Sequence, residues 1–294
     1  MKVFSILTVL FAAVSATPTP TVDGSPEKAR LAKRASVSDK ATLGYATQNG
    51  GTTGGSGGTV TTVSTLAQFT EAVNEKDATA RIVMVKGIIS GALSVRIGSN
   101  KSVIGLPGGG FSGVALYARR QSNIIVRNIV SSNVEAEYGD GLKIDASTNV
   151  WVDHCEFKSV LVADKDYYDG LVDASHAADF ITISYTYFHD HWKTSLIGHS
   201  DNNADEDTGH LRITYAHNYW KDCGSRAPSL RFGTGHVYNS YFLNLNSAIN
   251  SRMGAQMLVQ SNVFSNVSVP ITSVDSDEVG SVVLEKVDEN QADY

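Results

Sequence analysis

Asn149-Val-Trp-Val-Asp-His-Cys-Glu-Phe157 is followed by Phe180-Ile-Thr-Ile-Ser-Tyr-Thr-Tyr-Phe188, and then by Arg212-Ile-Thr-Tyr-Ala-His-Asn-Tyr-Trp220. Each copy opens on a short β-branched run and closes on a large aromatic ring. Looser copies start at Asn123, Thr234 and Gln256, and their closing positions hold Ser131, Phe242 and Phe264. Successive starts lie 26, 31, 32, 22 and 22 residues apart. Self-similarity at this period means stacked units, each too small to bury a hydrophobic face alone.

The unit is rich in alternating Val, Ile, Thr and Tyr, which reads as strand. A second strand precedes it in each unit, at Leu142-Lys-Ile144, Leu171-Val172, Leu196-Ile197, Leu230-Arg-Phe232 and Ile249-Asn250. Two or three short strands per turn, joined by Gly, Asn, Asp and Ser, predict an all-β parallel β-helix with coils about 4.8 Å apart. A β-propeller needs a period nearer about 40–45 residues, and the spacing here is shorter. Stacking would align Asn128, His154, Tyr185, His217, Asn239 and Ser261. A hydrogen-bonded ladder is expected there, giving His154 and His217 a structural role. Upstream, Ser64 is placed to cap a helix carrying Leu66, Phe69 and Val73 on one face, which would plug the open end of the solenoid. Gly50 to Gly58 reads as a loop, not a phosphate cradle, because no Gly-Lys-Ser/Thr follows it.

Met1-Lys2, the apolar run Val3–Val14 and the small pair Ser15-Ala16 describe a secretory signal peptide over 1–16. That run is shorter than the roughly 20 residues of a membrane span, and no later segment is apolar enough to cross a membrane. A propeptide is expected over 17–34, ending at Lys33-Arg34, which leaves a single domain over 35–294. The piece removed carries five basic and two acidic residues, so processing takes the net charge from −6 to about −9. A generally acidic surface argues against nucleic acid and makes any polyanionic ligand depend on local cations or a metal. Cys155 and Cys223 fall roughly two coils apart, about 9.6 Å by strand spacing, and a disulfide needs Cα atoms within about 7 Å. Two free, buried thiols are expected. The sequons at Asn100 and Asn266 are candidate glycosylation sites.

Candidate chemistry clusters in adjacent coils. Asp140 stands two residues before Leu142, and Asp169 two before Leu171. Carboxylates in matching register can share one cation, with Asp173 as a third ligand, and hard oxygen donors suit calcium. Acidic residues are also commonplace in β-turns, and spacing alone leaves both readings open. Lys193, Arg226 and Arg231 follow in the next coils as a positive strip. The guanidinium fork matches carboxylates, though surface salt bridging would use the same residues.

The stretches 149–157 (NVWVDHCEF), 169–201 (DGLVDASHAADFITISYTYFHDHWKTSLIGHSD) and 226–239 (RAPSLRFGTGHVYN) resemble the pectate lyases of polysaccharide lyase family 1, in their fungal form. The resemblance runs from about Gly44 to about Asn266. It implies a right-handed parallel β-helix that is secreted, acts as a monomer, and splits polygalacturonate by endo-acting, calcium-assisted β-elimination. It implies Asp140, Asp169 and Asp173 as calcium ligands, Lys193 and Arg231 as substrate-binding residues, and Arg226 as the catalytic arginine. One family carboxylate is Tyr138 here, and Glu135 or Glu137 is placed to compensate. Arginine is protonated at ordinary pH, so Arg226 either takes the C5 proton or stabilises charge while hydroxide takes it. Three other readings share the fold class. A pectin lyase acting on methyl-esterified chains has no use for the carboxylate trio. A β-helix hydrolase needs an acid–base carboxylate pair. A non-catalytic carbohydrate-binding β-helix has no use for Arg226 beside a metal site.

Overall fold

A computed structural model describes residues 36–285. The expected signal peptide and propeptide lie outside the described residues. Among the described residues no helix is long and apolar enough to cross a membrane.

The repeat read from the sequence stacks as strands. Ser122–Arg127, Thr148–Asp153, Asp179–Ser184, Arg212–Ala216, Thr234–Tyr238 and Gln256–Gln260 are successive neighbours in one parallel sheet, which Thr59–Val63, Arg81–Val85 and Lys101–Gly105 precede and Ser281–Glu285 follows. The register pairs Ile124 with Val150, Val150 with Ile181, Ile181 with Ile213, Ile213 with Gly235 and Gly235 with Met257. That is the alignment the sequence repeat requires.

The second sheet divides into two walls. Gly110–Arg119 pairs through its first half with Val130–Ser132 and through its second half with Leu142–Asp145. One wall continues through Glu156–Lys158, Tyr187–Lys193 and Tyr219–Ser225, the other through Val172–Ser175, Leu196–Ile197 and Ser229–Arg231. The walls meet again in the long strand Tyr241–Arg252, which pairs with both. All these pairings are parallel, so the chain winds as a β-helix.

Inside, Phe157, Phe188, Trp220, Phe242 and Phe264 form one stack, with successive ring centroids 5.8, 4.2, 5.8 and 4.7 Å apart. Aromatic pairs at such distances contribute about 0.5–1.5 kcal/mol each beyond area burial. Around them Ile124, Val126, Val150, Val152, Ile181 and Ile183 are fully buried, as alternate residues of inward-facing strands must be.

Several expectations need correction. Asn128, His154, Tyr185, His217, Asn239 and Ser261 do align, and all take left-handed φ between 48° and 57°. They do not build a hydrogen-bonded ladder. His154, Tyr185 and His217 stack as rings 4.8 and 4.6 Å apart. The polar ladder lies one residue further on: Asn218 Oδ1 accepts from the Thr186 N–H (2.9 Å) and Asn262 Oδ1 from the Ser240 N–H (2.9 Å). A left-handed bend turns one side chain outward and the next inward, where no water competes. The role expected of His154 and His217 in such a ladder is therefore replaced by ring stacking with Tyr185.

The N-terminal helix is Leu66–Ala72, with Phe69 and Val73 fully buried and Phe69 packed 4.5 Å from Phe111. Its cap is Thr65 rather than Ser64. Thr65 Oγ1 accepts from the Gln68 N–H, while Gln68 Oε1 accepts from the Ser64 N–H, so two orphan donors are satisfied reciprocally. The glycine-rich loop lies over the outer face of the first sheet. Asn123 Oδ1 accepts from the N–H groups of Thr53 and Gly54 (both 2.7 Å), and Ala41 and Ala46 bury Ile125 and Trp151. In the second strand set, Phe232 is a left-handed residue after Ser229–Arg231, and Ile249 lies within Tyr241–Arg252, where Leu230 pairs with Ser251.

Candidate active site

The line along which the two walls diverge gathers the candidate residues. Each coil turns there between the end of one strand and the start of the next, and each turn projects a charged side chain. Asp140 precedes Leu142–Asp145, Asp169 precedes Val172–Ser175 and Asp173 lies within it, Lys193 ends Tyr187–Lys193, and Arg226 links Tyr219–Ser225 to Ser229–Arg231.

The acids do not share a register as their spacing suggests. Leu142 pairs with Val172, not Leu171, so Asp140 lies opposite Gly170 and Asp169 is displaced by one residue. The slip has a local cause. The Gly170 N–H donates to Asp140 Oδ1 (2.8 Å), and a Cβ on Gly170 would collide with the Asp173 carboxylate. The bare glycine lets Asp140 and Asp173 face each other across the coil spacing. Asp173 Oδ1 accepts from the Leu196 N–H (2.9 Å). Burial pushes the Asp140 carboxyl above its ordinary range, and the Asp169 charge adds to this against the opposing pull of Lys143. Asp173 is pushed well up by burial and then by Asp140 and Asp169. The Asp169 charge therefore raises both Asp140 and Asp173 at one place, and compensation comes from Lys143, whose Nζ lies 3.4 Å from Asp140 Oδ2.

Whether such a site suits a metal can be judged from its donors. They are all hard oxygens with surplus negative charge, which fits calcium. Among the described residues, however, no three His, Cys, Asp or Glu side chains come together closely enough to hold a metal ion as they stand. Gly170, Leu196, Lys143 and Lys193 each hold one oxygen of the trio. Near Tyr138, Glu135 accepts from the Tyr167 hydroxyl (2.8 Å), and Glu137 pushes the Tyr138 pKa up.

Lys193 Nζ reaches Asp166 Oδ1 (2.9 Å) and Asp169 Oδ1 (3.4 Å). Its neighbours pin the same loop. His191 Nε2 bonds the Asp169 carbonyl (2.6 Å), His191 Nδ1 meets Ser159 Oγ (2.7 Å), and Trp192 Nε1 donates to the Val162 carbonyl (2.8 Å). Burial pushes the His191 imidazole down to about 4, so it is neutral and holds Asp169 by hydrogen bonding alone. Arg226 differs from these. Among the described residues its guanidinium makes no ion pair or hydrogen bond, although its charge acts on Asp173 and Asp166. Its φ of 58° is the bend conformation used throughout this fold and does not itself mark the site. Arg231 is largely buried, with Nη1 donating to the Gly198 carbonyl (2.8 Å) and Nε to Asp201.

The structure thus brings Asp140, Asp169, Asp173, Lys193 and Arg226 together and sets Arg231 one strand further along. Lys143, Asp166, His191 and Asp201 were not singled out from the sequence. Lys143 could have been, since it alternates outward between Leu142 and Ile144. The others are recognised only once the coils are stacked.

The family model described as pectate lyase matches residues 8–291. A probable pectate lyase B of Aspergillus flavus is 48% identical over 290 residues, covering 98% of this chain and 87% of that protein. Pectate lyase A of Aspergillus niger is 51% identical over 269 residues, covering 91% and 80%. Among solved structures, the pectate lyase Bsp165PelA from Bacillus sp. N165, in complex with trigalacturonate, superposes with a TM-score of 0.77 at 35% identity, over 84% of this chain and 86% of that one.

Proposed function

The chain belongs to the pectate lyase family and is a polysaccharide lyase, and from that premise we propose that it is secreted and cleaves (1→4)-α-D-galacturonan within the chain, with calcium, along the line of Asp140, Asp169, Asp173, Lys193, Arg226 and Arg231. The observation that carries the proposal is the pairing of opposites. Carboxylates that repel one another across two adjacent coils stand beside a guanidinium that has no partner among the described residues. A solenoid needing these residues only for its fold would neutralise them against each other.

Asp140, Asp169 and Asp173 would hold the calcium ion, each through an oxygen not engaged by the backbone. A calcium ion held there would supply Lewis acidity that makes the C5 proton of a galacturonate easier to remove. Lys193 and Arg231 bind sugar carboxylates and set the chain along that line, Lys193 by giving up Asp166 for substrate. Arg226 faces the C5–H. It takes the proton, or stabilises the developing charge while hydroxide takes it, and both roles need a guanidinium with no internal partner. As the C5–H electrons form the 4,5 double bond, the C4–O bond breaks and the departing sugar oxygen takes up a proton. His191 keeps Asp169 in place. The Bacillus relative solved with trigalacturonate supports the substrate class, and the apolar run Val3–Val14 supports export.

The test separates metal from chemistry. Calorimetric titration with calcium in the presence of trigalacturonate should give a binding isotherm for the wild type and for Arg226→Lys, and none for Asp173→Asn. Turnover should be lost in both variants, by about a hundredfold or more. Calcium binding that survives in Asp173→Asn, or full turnover in Arg226→Lys, contradicts the assignment.

A further inference from the structure

Arg231 spends two of its nitrogens inside the protein, Nε on Asp201 Oδ1 and Nη1 on the Gly198 carbonyl. Its side chain is 10% exposed and that of Asp201 25%, so little more than one edge of the guanidinium is left to meet a ligand. Asp201 is held in turn from the far side. The Ser276 hydroxyl donates to Oδ1 (2.8 Å) and the Asp277 N–H to Oδ2 (3.1 Å). Both donors belong to the segment between the strands Val263–Thr272 and Ser281–Glu285. One coil on, Arg252 pairs in register with Arg231, and its Nη1 donates to the Asp275 carbonyl (2.8 Å) of the same segment. Burial and repulsion from Arg231 and Arg226 push Arg252 down to about 10. The three arginines therefore crowd one another, and Asp201 is the carboxylate in direct contact with Arg231.

We propose that Asp201 is a positioning residue for Arg231, and that the segment 273–279 acts through it to fix which edge of the guanidinium meets a substrate carboxylate. A guanidinium binds a carboxylate bidentately only when its plane is set. The Asp201 carboxylate and the Gly198 carbonyl set that plane from two directions. Without Asp201 the fork is free to turn, and neighbouring guanidiniums push it away. The segment 273–279 thereby becomes part of the binding apparatus, although none of its side chains is proposed to touch the sugar.

The inference rests on reading Arg231 as a substrate ligand, and the test keeps the two apart. Steady-state kinetics on polygalacturonate at saturating calcium are compared for the wild type, Arg231→Lys, Asp201→Asn, Asp201→Glu and the Asp201→Asn/Arg231→Lys double variant. Arg231→Lys and Asp201→Asn should each raise KM about tenfold while kcat falls far less. The double variant should be no worse than the poorer single, because both act through one contact. Asp201→Glu should recover to within about threefold of the wild-type KM. If Arg231→Lys raises KM and Asp201→Asn does not, the inference is overturned and the reading of Arg231 stands. If neither changes KM, the reading of Arg231 itself falls. A lower melting temperature in Asp201→Asn with an unchanged KM would show a purely architectural role and also overturns the inference. Should Asp201→Asn not fold, Ser276→Ala removes one support more gently. A KM rise of about two- to threefold is then expected, and an unchanged KM counts against the proposal.

Discussion

Asp140 and Asp173 sit where burial disfavours their charge, Asp169 raises both, and Asp140 raises Asp173 further. A carboxyl raised on folding stabilises the native state while protonated, and that contribution is lost as pH rises through its folded value. Near neutral pH these acids therefore work against the fold until a cation compensates them. Calcium should raise the melting temperature by several degrees at about pH 8 and by much less at about pH 5. Asp173→Asn should melt higher than the wild type in chelator and lose most of the calcium shift, as scanning fluorimetry would record. His191 has the opposite sign. Its folded value of about 4 lies below the ordinary 6.5, so the unfolded chain binds more protons between these values. Its contribution is full above about pH 6.5 and declines as pH falls towards about 4. Comparing melting curves over this window, His191→Gln should lose part of the acid slope shown by the wild type. Burial likewise pushes the Cys155 and Cys223 thiols up to about 12. Both are free, and both should resist alkylation in the native protein and react on unfolding. At this scale the sequence revealed residue types better than partners. Asp140 and Asp173 stood out, but Leu171-Val172 offers two adjacent apolar residues to face inward, and packing around Gly170 chooses the second. Asp166 and Asp201 lie in loops without a period, and their partners are some 30 residues away, so only coil stacking reveals them.

The elements carry their own tests. Phe188 is buried in the middle of the ring stack, and Phe188→Ala should cost about 3–5 kcal/mol in urea unfolding. Trp220 in the same stack has a buried Nε1 without a partner. Trp220→Phe removes that unsatisfied donor while keeping a ring, so its cost should stay within about 1 kcal/mol. If the two substitutions cost the same, the stack is not the continuous element described here. The aromatic column was fully legible because apolar burial at a fixed offset leaves a strong period. The polar column was read one residue early. A left-handed bend places successive polar residues on opposite sides of the wall, and residue type does not tell which points inward. The helix cap shifted from Ser64 to Thr65 for a similar reason, since either hydroxyl suits an N-cap and the Gln68 side chain decides between them.

For the molecule as a whole, stacking turns a repeat with no chemistry of its own into a line of charged side chains. Successive coils add charged side chains where the two walls part, Asp140, then Asp169 and Asp173 together, then Lys193 and Arg226. The repeat made the solenoid legible from residues alone, while its handedness and the roles along that line came from the family resemblance. Register sets where these residues stand, with Arg226 unpaired among the described residues beside the acid cluster and Arg231 braced from behind by Asp201. The most direct test of this account follows ultraviolet absorbance as purified protein acts on polygalacturonate, first with calcium and then with excess chelator. The account predicts a steady rise from 4,5-unsaturated product with calcium, its arrest by chelator, and no rise with Arg226→Lys. New reducing ends without absorbance, or a rise indifferent to chelator, would contradict it.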